Sequence, residues 1–183
     1  MTPQEALAAG RVIGLPTDTV YGLACLPDKP AAVARIFDLK KRSRDLALPV
    51  LCSDLRQAAP LGRLPGWAGR AWPGGVTLVV RRTSASASWD LGDDLQAIAL
   101  RVPAHPVVQG LAAELGPLAA TSANLHGEPT PDTAEGVLDL FGDEIEPVID
   151  GGRVAGAAST VIDCRGVKPK VLRQGAVRLE RLL

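Results

Sequence analysis

Histidine is scarce in this chain of 183 residues, where only His105 and His126 occur. Two imidazoles cannot build a multi-histidine metal centre, and without a GxSxG-type elbow a Ser/His/Asp mechanism has no support. The chain also lacks a Walker A loop and a GxGxxG turn after a strand, so a nucleotide would have to be held by another architecture. Cysteine is limited to Cys25, Cys52 and Cys164, an odd set without CxxC spacing or a neighbouring histidine cluster. That argues against a disulfide framework or a zinc site and fits a reducing, cytoplasmic setting. Neither sign of charge prevails, because 20 Lys and Arg balance 20 Asp and Glu, so any polyanion site must be a local patch. Aromatic residues are few as well: one Tyr, two Phe and three Trp offer little for stacking on bases. The N-terminal MTPQEALAAG has no basic start before a long apolar run, and no stretch approaches about 18 uninterrupted apolar residues. A soluble chain without export signal or membrane span is expected.

What is present reads as one α/β domain over residues 1–183. Residues 3–9 suit a short helix closed by Gly10, and RVIGL forms a strand leading into LPTDTVYGL, residues 15–23. In AAVARIFDLKKR, Val33, Ile36, Phe37 and Lys40 recur at the helical spacing i, i+3, i+4, i+7. Lys40 thus ends an apolar stripe, and its stem turns toward the protein body. LALPVLC and VTLVVRR (76–82) read as strands, the second after the tight WPGG turn, whereas TSASAS (83–88) reads as a mobile low-complexity loop. Alternation in LQAIALRVP puts Ile98, Leu100 and Val102 on one face and Ala97, Ala99 and Arg101 on the other. The small alanines leave room beside Arg101. A helix over 106–115 stops at Gly116, PLAAT is a strand, and SANLHGEPTP is a polar loop before the helix DTAEGVLDLF. The tail alternates turn and strand through IDGGRVAGAA, STVIDC, KVLRQG and AVRLERL. A twisted mixed sheet with helices packed on it accommodates this order.

Polar and basic residues recur at the strand ends, where ligands of α/β sheets collect. Thr17, Asp18 and Thr19 either turn a corner or wall a polar pocket. LKKRSRD, with Lys40, Lys41, Arg42 and Arg44, is either a solvated charge run or a phosphate clamp. Arg101 is a surface charge or an anion receptor. Thr121, Ser122 and Asn124 supply hydroxyl and amide groups directly after a strand, Ser159 and Thr160 follow a glycine-containing loop, and Arg173 precedes a turn. Gly151, Gly152 and Gly156 make the 150–158 segment a candidate lid.

Seven ordered blocks resemble the YrdC-type threonylcarbamoyl-AMP synthases: LPTDTVYGLAC, IFDLKKRSRDLALPVL, WPGGVTLVV, ALRVPAHPV, ATSANLHGEPTP, STVIDC and VLRQGAV. They run from about residue 10 to 177. The resemblance implies a YrdC-like open twisted mixed sheet with flanking helices and a large, positively lined cavity, in the single-domain form. It implies a nucleotidyltransferase that joins L-threonine, bicarbonate and ATP, with Mg2+, to give threonylcarbamoyl-AMP and pyrophosphate. The product would feed a downstream tRNA threonylcarbamoyl transferase in making threonylcarbamoyladenosine, and direct contact with tRNA stays open.

Position by position, the resemblance makes Lys40 and Arg42 the catalytic pair. It places Thr19, Arg101, Ala120 (through its backbone) and Ser159 at threonine, and Arg42, Ser122, Asn124, Thr130 and Arg173 at ATP, with no protein metal ligand. Departures stand beside these matches: the family commonly reads Lys-Gly-Arg-Pro and then a Lys/Asn-Pro pair, where this chain has Lys41, Ser43, Leu46 and Ala47. Cys52 stands where some members carry histidine, and His126 replaces a frequent serine. Two other readings of the same fold are an RNA-binding or ribosome maturation factor and a paralogue that forms a carbamoyl-adenylate from carbamoyl phosphate.

Overall fold

Alternation along the strands sets which residues each face of the sheet buries. The computed structural model describes residues 1–183. Its strands are β1 (Ile13–Leu15), β2 (Gly22–Cys25), β3 (Val50–Leu51), β4 (Val76–Arg81), β5 (Ala97–Arg101), β6 (Leu118–Ser122), β7 (Thr160–Asp163) and β8 (Lys170–Arg173). They form one sheet in the order β1-β2-β6-β3-β5-β4-β7-β8. The sheet is mixed: β3 with β5 and β4 with β7 run parallel, and the other neighbours antiparallel. The helices are α1 (Pro3–Ala8), α2 (Pro30–Lys40), α3 (Leu55–Ala58), α4 (Ala68–Ala71), α5 (Pro106–Leu115) and α6 (Ala134–Phe141). None is long and apolar enough to cross a membrane.

Two cores result. Leu23, Val50, Leu78, Leu100 and Ile162 pack with Val33, Ile36 and Phe37 of α2 on one face. Leu15, Ala24, Leu51, Leu118 and Ala120 pack on the other, against Leu7 of α1 and Val108, Leu111 and Ala112 of α5. Each fully buried Leu or Ile contributes about 1.5–3 kcal/mol, so both packings matter to stability. The second core stops at β3, however. Beyond it the same face of β5, β4 and β7 carries Arg101, Thr77 and the half-buried Ala99, Val79 and Val161. That uncovered face is where a ligand can be admitted.

Three local expectations differ from the structure. In LALPVLC only Val50 and Leu51 are strand residues: Pro49 O still accepts from Ala120 N and Cys52 N donates to Arg101 O, each at 2.8 Å, but Pro49 has no N–H to offer and the Leu48 N–H turns to Leu91 O at 2.8 Å. TSASAS is anchored: Ser84–Ser86 form a 3-10 turn, and the buried Ser86 Oγ donates to Leu61 O at 2.8 Å. AVRLERL forms a 3-10 turn at Leu179–Arg181 rather than a strand, with Leu182 buried in the core.

Helix α2 ends in a way that clarifies a departure from the family pattern. Lys41 adopts φ 50° and ψ 40°, the left-handed region, while the Arg42 N–H closes back on Phe37 O at 3.0 Å. A glycine occupies that conformation without the Cβ clash, so the glycine that the resemblance implies here would sit without strain. Lys41→Gly is expected to raise the unfolding free energy by about 1 kcal/mol. Urea unfolding measures it, and an unchanged or lower midpoint contradicts the strain.

Candidate functional site

The uncovered face opens into a cavity lined among others by Thr19, Arg42, Thr77, Arg101, Ser122, Ser159 and Arg173. Its walls include no aspartate, glutamate, histidine or cysteine. Arg101 is the most buried of its three arginines. As the last residue of β5 its side chain shares the face of Ala97 and Ala99, and only 6% of the residue reaches solvent. Nε donates to Gly74 O at 3.0 Å, Nη1 to Thr19 Oγ1 at 3.0 Å, and Nη2 to Asp18 Oδ1 at 2.6 Å. Three of the five guanidinium N–H groups are thereby matched, leaving one on each terminal nitrogen for a ligand.

The PTDT turn divides its labour. Thr17 Oγ1 accepts the N–H groups of Thr19 and Val20 at 3.1 and 3.2 Å and donates to Val20 O at 2.7 Å, so Thr17 shapes the turn. Asp18 supplies the counter-charge for Arg101, and Thr19 presents its hydroxyl to the cavity. Across from it, Ser159 Oγ lies 2.8 Å from Thr77 Oγ1 and accepts from Arg173 Nη2 at 3.2 Å. Arg173 also donates from Nε and Nη2 to Ser159 O, at 3.1 and 2.9 Å. Arg42 braces its own turn by donating from Nε to Leu46 O at 2.7 Å.

Electrostatically the site is short of negative charge. Burial lowers the pKa of Arg42, Arg101 and Arg173, and Arg173 further depresses the other two through like-charge repulsion. Asp18 opposes the shift at Arg101, and Asp45 that at Arg42. One guanidinium that repels two others across a cavity without a wall carboxylate is a charge distribution that a polyanion relieves.

Lys40, Asn124 and Thr130 do not line this cavity. Lys40 is 1% exposed, and its ammonium donates to Ser122 O at 2.6 Å, to Asn124 Oδ1 at 3.0 Å and to Asn124 O. Asn124 Oδ1 also accepts from Ser122 Oγ at 2.5 Å, while its Nδ2 donates to Leu125 O and Glu128 O. All three ammonium protons have acceptors in the loop. Lys40 thereby fixes the loop that carries Ser122, which does reach the cavity with the Ala120 backbone. Thr77 and Tyr21 line the cavity without having been singled out. Thr77 was findable as the lone hydroxyl in VTLVV. Cys52 is buried with its thiol pushed up to about 12, chiefly by burial, and stands apart from the cavity.

The 150–158 segment lies docked over the PTDT turn. Tyr21 OH donates to Gly152 O at 2.8 Å and accepts from the Gly151 N–H at 3.0 Å, while Arg153 pairs with Asp132. Gly156 is pressed on Thr19, where an added Cβ would lie 2.1 Å from the carbonyl oxygen.

Comparison with known proteins bears on this geometry. The Sua5/YciO/YrdC family model, described as Telomere recombination, matches residues 5–175. The threonylcarbamoyl-AMP synthase of Bacillus subtilis is 36% identical over 192 residues, covering 98% of this chain and 56% of that protein. P. abyssi Sua5 complexed with L-threonine superposes with a TM-score of 0.85 at 34% identity, covering 97% of this chain and 54% of that one. E. coli YciO gives a TM-score of 0.90 at 27% identity, covering 98% of this chain and 90% of that one. The chain thus spans about half the length of the first two and nearly all of the third.

The role of Lys40 has a pH signature. Burial, with Arg42 as the second cause, lowers its ammonium from the usual 10.5 to about 8. Between those values the unfolded chain holds more protons at this site than the folded one, so Lys40 adds stability as the pH rises through the window. Lys40→Met strands three acceptors and is expected to cost about 1–3 kcal/mol at pH 7. In urea unfolding the gap between parent and variant should widen from pH 8 to 10.5; a gap indifferent to pH contradicts the assignment.

Proposed function

This chain belongs to the Sua5/YciO/YrdC family, and we propose that it joins L-threonine, bicarbonate and ATP into threonylcarbamoyl-AMP and pyrophosphate. The adenylate would serve a downstream transferase that modifies tRNA. One observation carries the reading: the cavity gathers Arg42, Arg101 and Arg173 around hydroxyls while its walls offer no nucleophilic cysteine, histidine or carboxylate. Such a site suits a reaction in which the substrates supply the nucleophile and the protein supplies position and charge.

The substrates divide along the cavity. The two free N–H groups of Arg101 receive the threonine carboxylate beside Thr19, with Ser159 and the Ala120 backbone completing that end. Arg42, Arg173 and Ser122 receive the triphosphate. The threonine amine combines with bicarbonate to give a carbamate and water. A carbamate oxygen then attacks the α-phosphorus, the bond to the β,γ-diphosphate breaks, and pyrophosphate leaves with that electron pair. Arg42 and Arg173 meet the charge that develops on the departing phosphates. Magnesium enters as part of the nucleotide substrate, since the cavity walls hold no carboxylate for it and no trio of His, Cys, Asp or Glu gathers elsewhere. Bound to phosphate oxygens and water, it would share in neutralising the phosphates.

Purified protein incubated with ATP, magnesium and bicarbonate should release pyrophosphate only when threonine is added. Arg101→Ala should raise the threonine KM about 10- to 100-fold, the value of one or two charge-assisted hydrogen bonds, with a smaller effect on ATP. Arg42→Ala should do the reverse. Release that needs carbamoyl phosphate instead of threonine, or variants that behave like the parent, contradicts the reading.

A further inference from the structure

A second basic hollow lies at the far end of the same open face. Arg63, Arg81, Arg82, Gln96, Asp163 and Arg165 line a depression that has no hydrophobic wall. Thr77 of the cavity and Arg81 of the hollow share a face of β4 four residues apart, roughly 13 Å at the rise of a strand. The two sites are therefore separate, with Val79, Ala99 and Val161 between them.

The charges in this hollow do not cancel. Arg165 is held by carboxylates on every side: Nε and Nη2 donate to Asp163 at 3.0 and 2.8 Å, and Nη1 to Asp94 at 2.9 Å. Those bonds commit both carboxylates. Asp90, in an ion pair with Arg44, also acts on Arg82 through its charge. Arg82 has a single bond, from Nη2 to Trp89 O at 2.8 Å, and its buried Nε has no partner. Arg63 and Arg81 are exposed and are joined only through the backbone, Arg63 N to Arg81 O at 2.9 Å. Four guanidiniums thus meet three carboxylates, Asp94 and Asp163 bonded to Arg165 and Asp90 shared with Arg44, so positive charge stays in excess in a chain whose formal net charge is zero.

The lining restricts what can bind. A ligand with an apolar skeleton or a base to bury finds neither aliphatic nor aromatic wall, whereas planar guanidinium forks pair in bidentate fashion with phosphate oxygens. Arg63 and Arg81, both exposed and neither paired with a carboxylate, offer two forks, which suits more than one phosphate. We propose that this hollow is a phosphate site, distinct from the cavity, that takes two or more phosphate groups of one ligand. Those groups come either from a condensed phosphate or from the backbone of an RNA strand.

The test uses the full chain with two probes at low salt, tripolyphosphate by titration calorimetry and a fluorescein-labelled single-stranded RNA 12-mer by polarisation. At least one should bind with a Kd of about 100 μM or tighter. The Arg63→Gln/Arg81→Gln double variant should weaken that binding about tenfold or more, while Arg42→Ala, which alters the cavity instead, should leave it in place. Tripolyphosphate binding that the double variant weakens and Arg42→Ala keeps identifies a condensed phosphate as the ligand chemistry, whereas the share lost with Arg42→Ala belongs to the cavity. Binding of RNA alone identifies the nucleic-acid backbone, and the slope of log Kd against log salt should then fall by about 1.4 in the double variant. If the double variant fails to fold, the two single variants carry the comparison. The proposal is overturned if neither probe binds, if the double variant binds like the parent, or if Arg42→Ala abolishes the binding.

Discussion

Arg101 carries its charge into the wall of the cavity, where 6% of the residue reaches solvent, and a guanidinium there is tolerated only if its donors are matched. Much of the site follows from that requirement. The PTDT turn brings Asp18 to within 2.6 Å as the counter-charge and Thr19 to within 3.0 Å as an acceptor. The WPGG turn brings the Gly74 carbonyl. Segments far apart in sequence are thereby tied to one side chain, and Gly156 and Tyr21 lay the 150–158 loop over the same turn. Because two N–H groups stay unmatched, the pairing that secures the charge also leaves it able to bind.

A parallel arrangement secures the Ser122 end of the cavity. Lys40 buries an ammonium under the Ser122–Asn124 loop and satisfies it with three oxygens of that loop. Deleting one partner of such a network leaves the others stranded at a cost larger than the bond itself. The Lys-x-Arg element thus splits into two jobs on adjacent sides of a helix end. The first residue holds the loop, and Arg42 faces the cavity. Lys41 between them takes the left-handed conformation that reverses the chain's direction.

Much of this was legible in the sequence for local reasons. Period-two alternation in LQAIALRVP put Arg101 beside small alanines, and the helical stripe from Val33 to Lys40 turned that ammonium inward. What escaped depends on distant partners. Thr17, Asp18 and Thr19 look equivalent as polar turn residues, and only Arg101, 83 positions after Asp18, distinguishes them. Asn124 matches an ATP-contacting pattern, yet its side chain is fully engaged by Lys40, Ser122, Leu125 and Glu128. TSASAS carries the composition of a mobile loop, but a single carbonyl, that of Leu61, pins Ser86. The opening of the cavity itself depends on where the α1 and α5 packing ends, and no local pattern encodes that boundary.

The central claim is that the protein supplies charge and position while the carbamate formed from threonine and bicarbonate supplies the nucleophile. Mass spectrometry of the adenylate formed from ATP, L-threonine and 13C-bicarbonate tests it most directly. The account predicts a threonylcarbamoyl-AMP that carries the 13C label in its carbamoyl group and is absent when threonine is left out. A carbamoyl-adenylate without threonine, or a threonylcarbamoyl-AMP without the label, would contradict it.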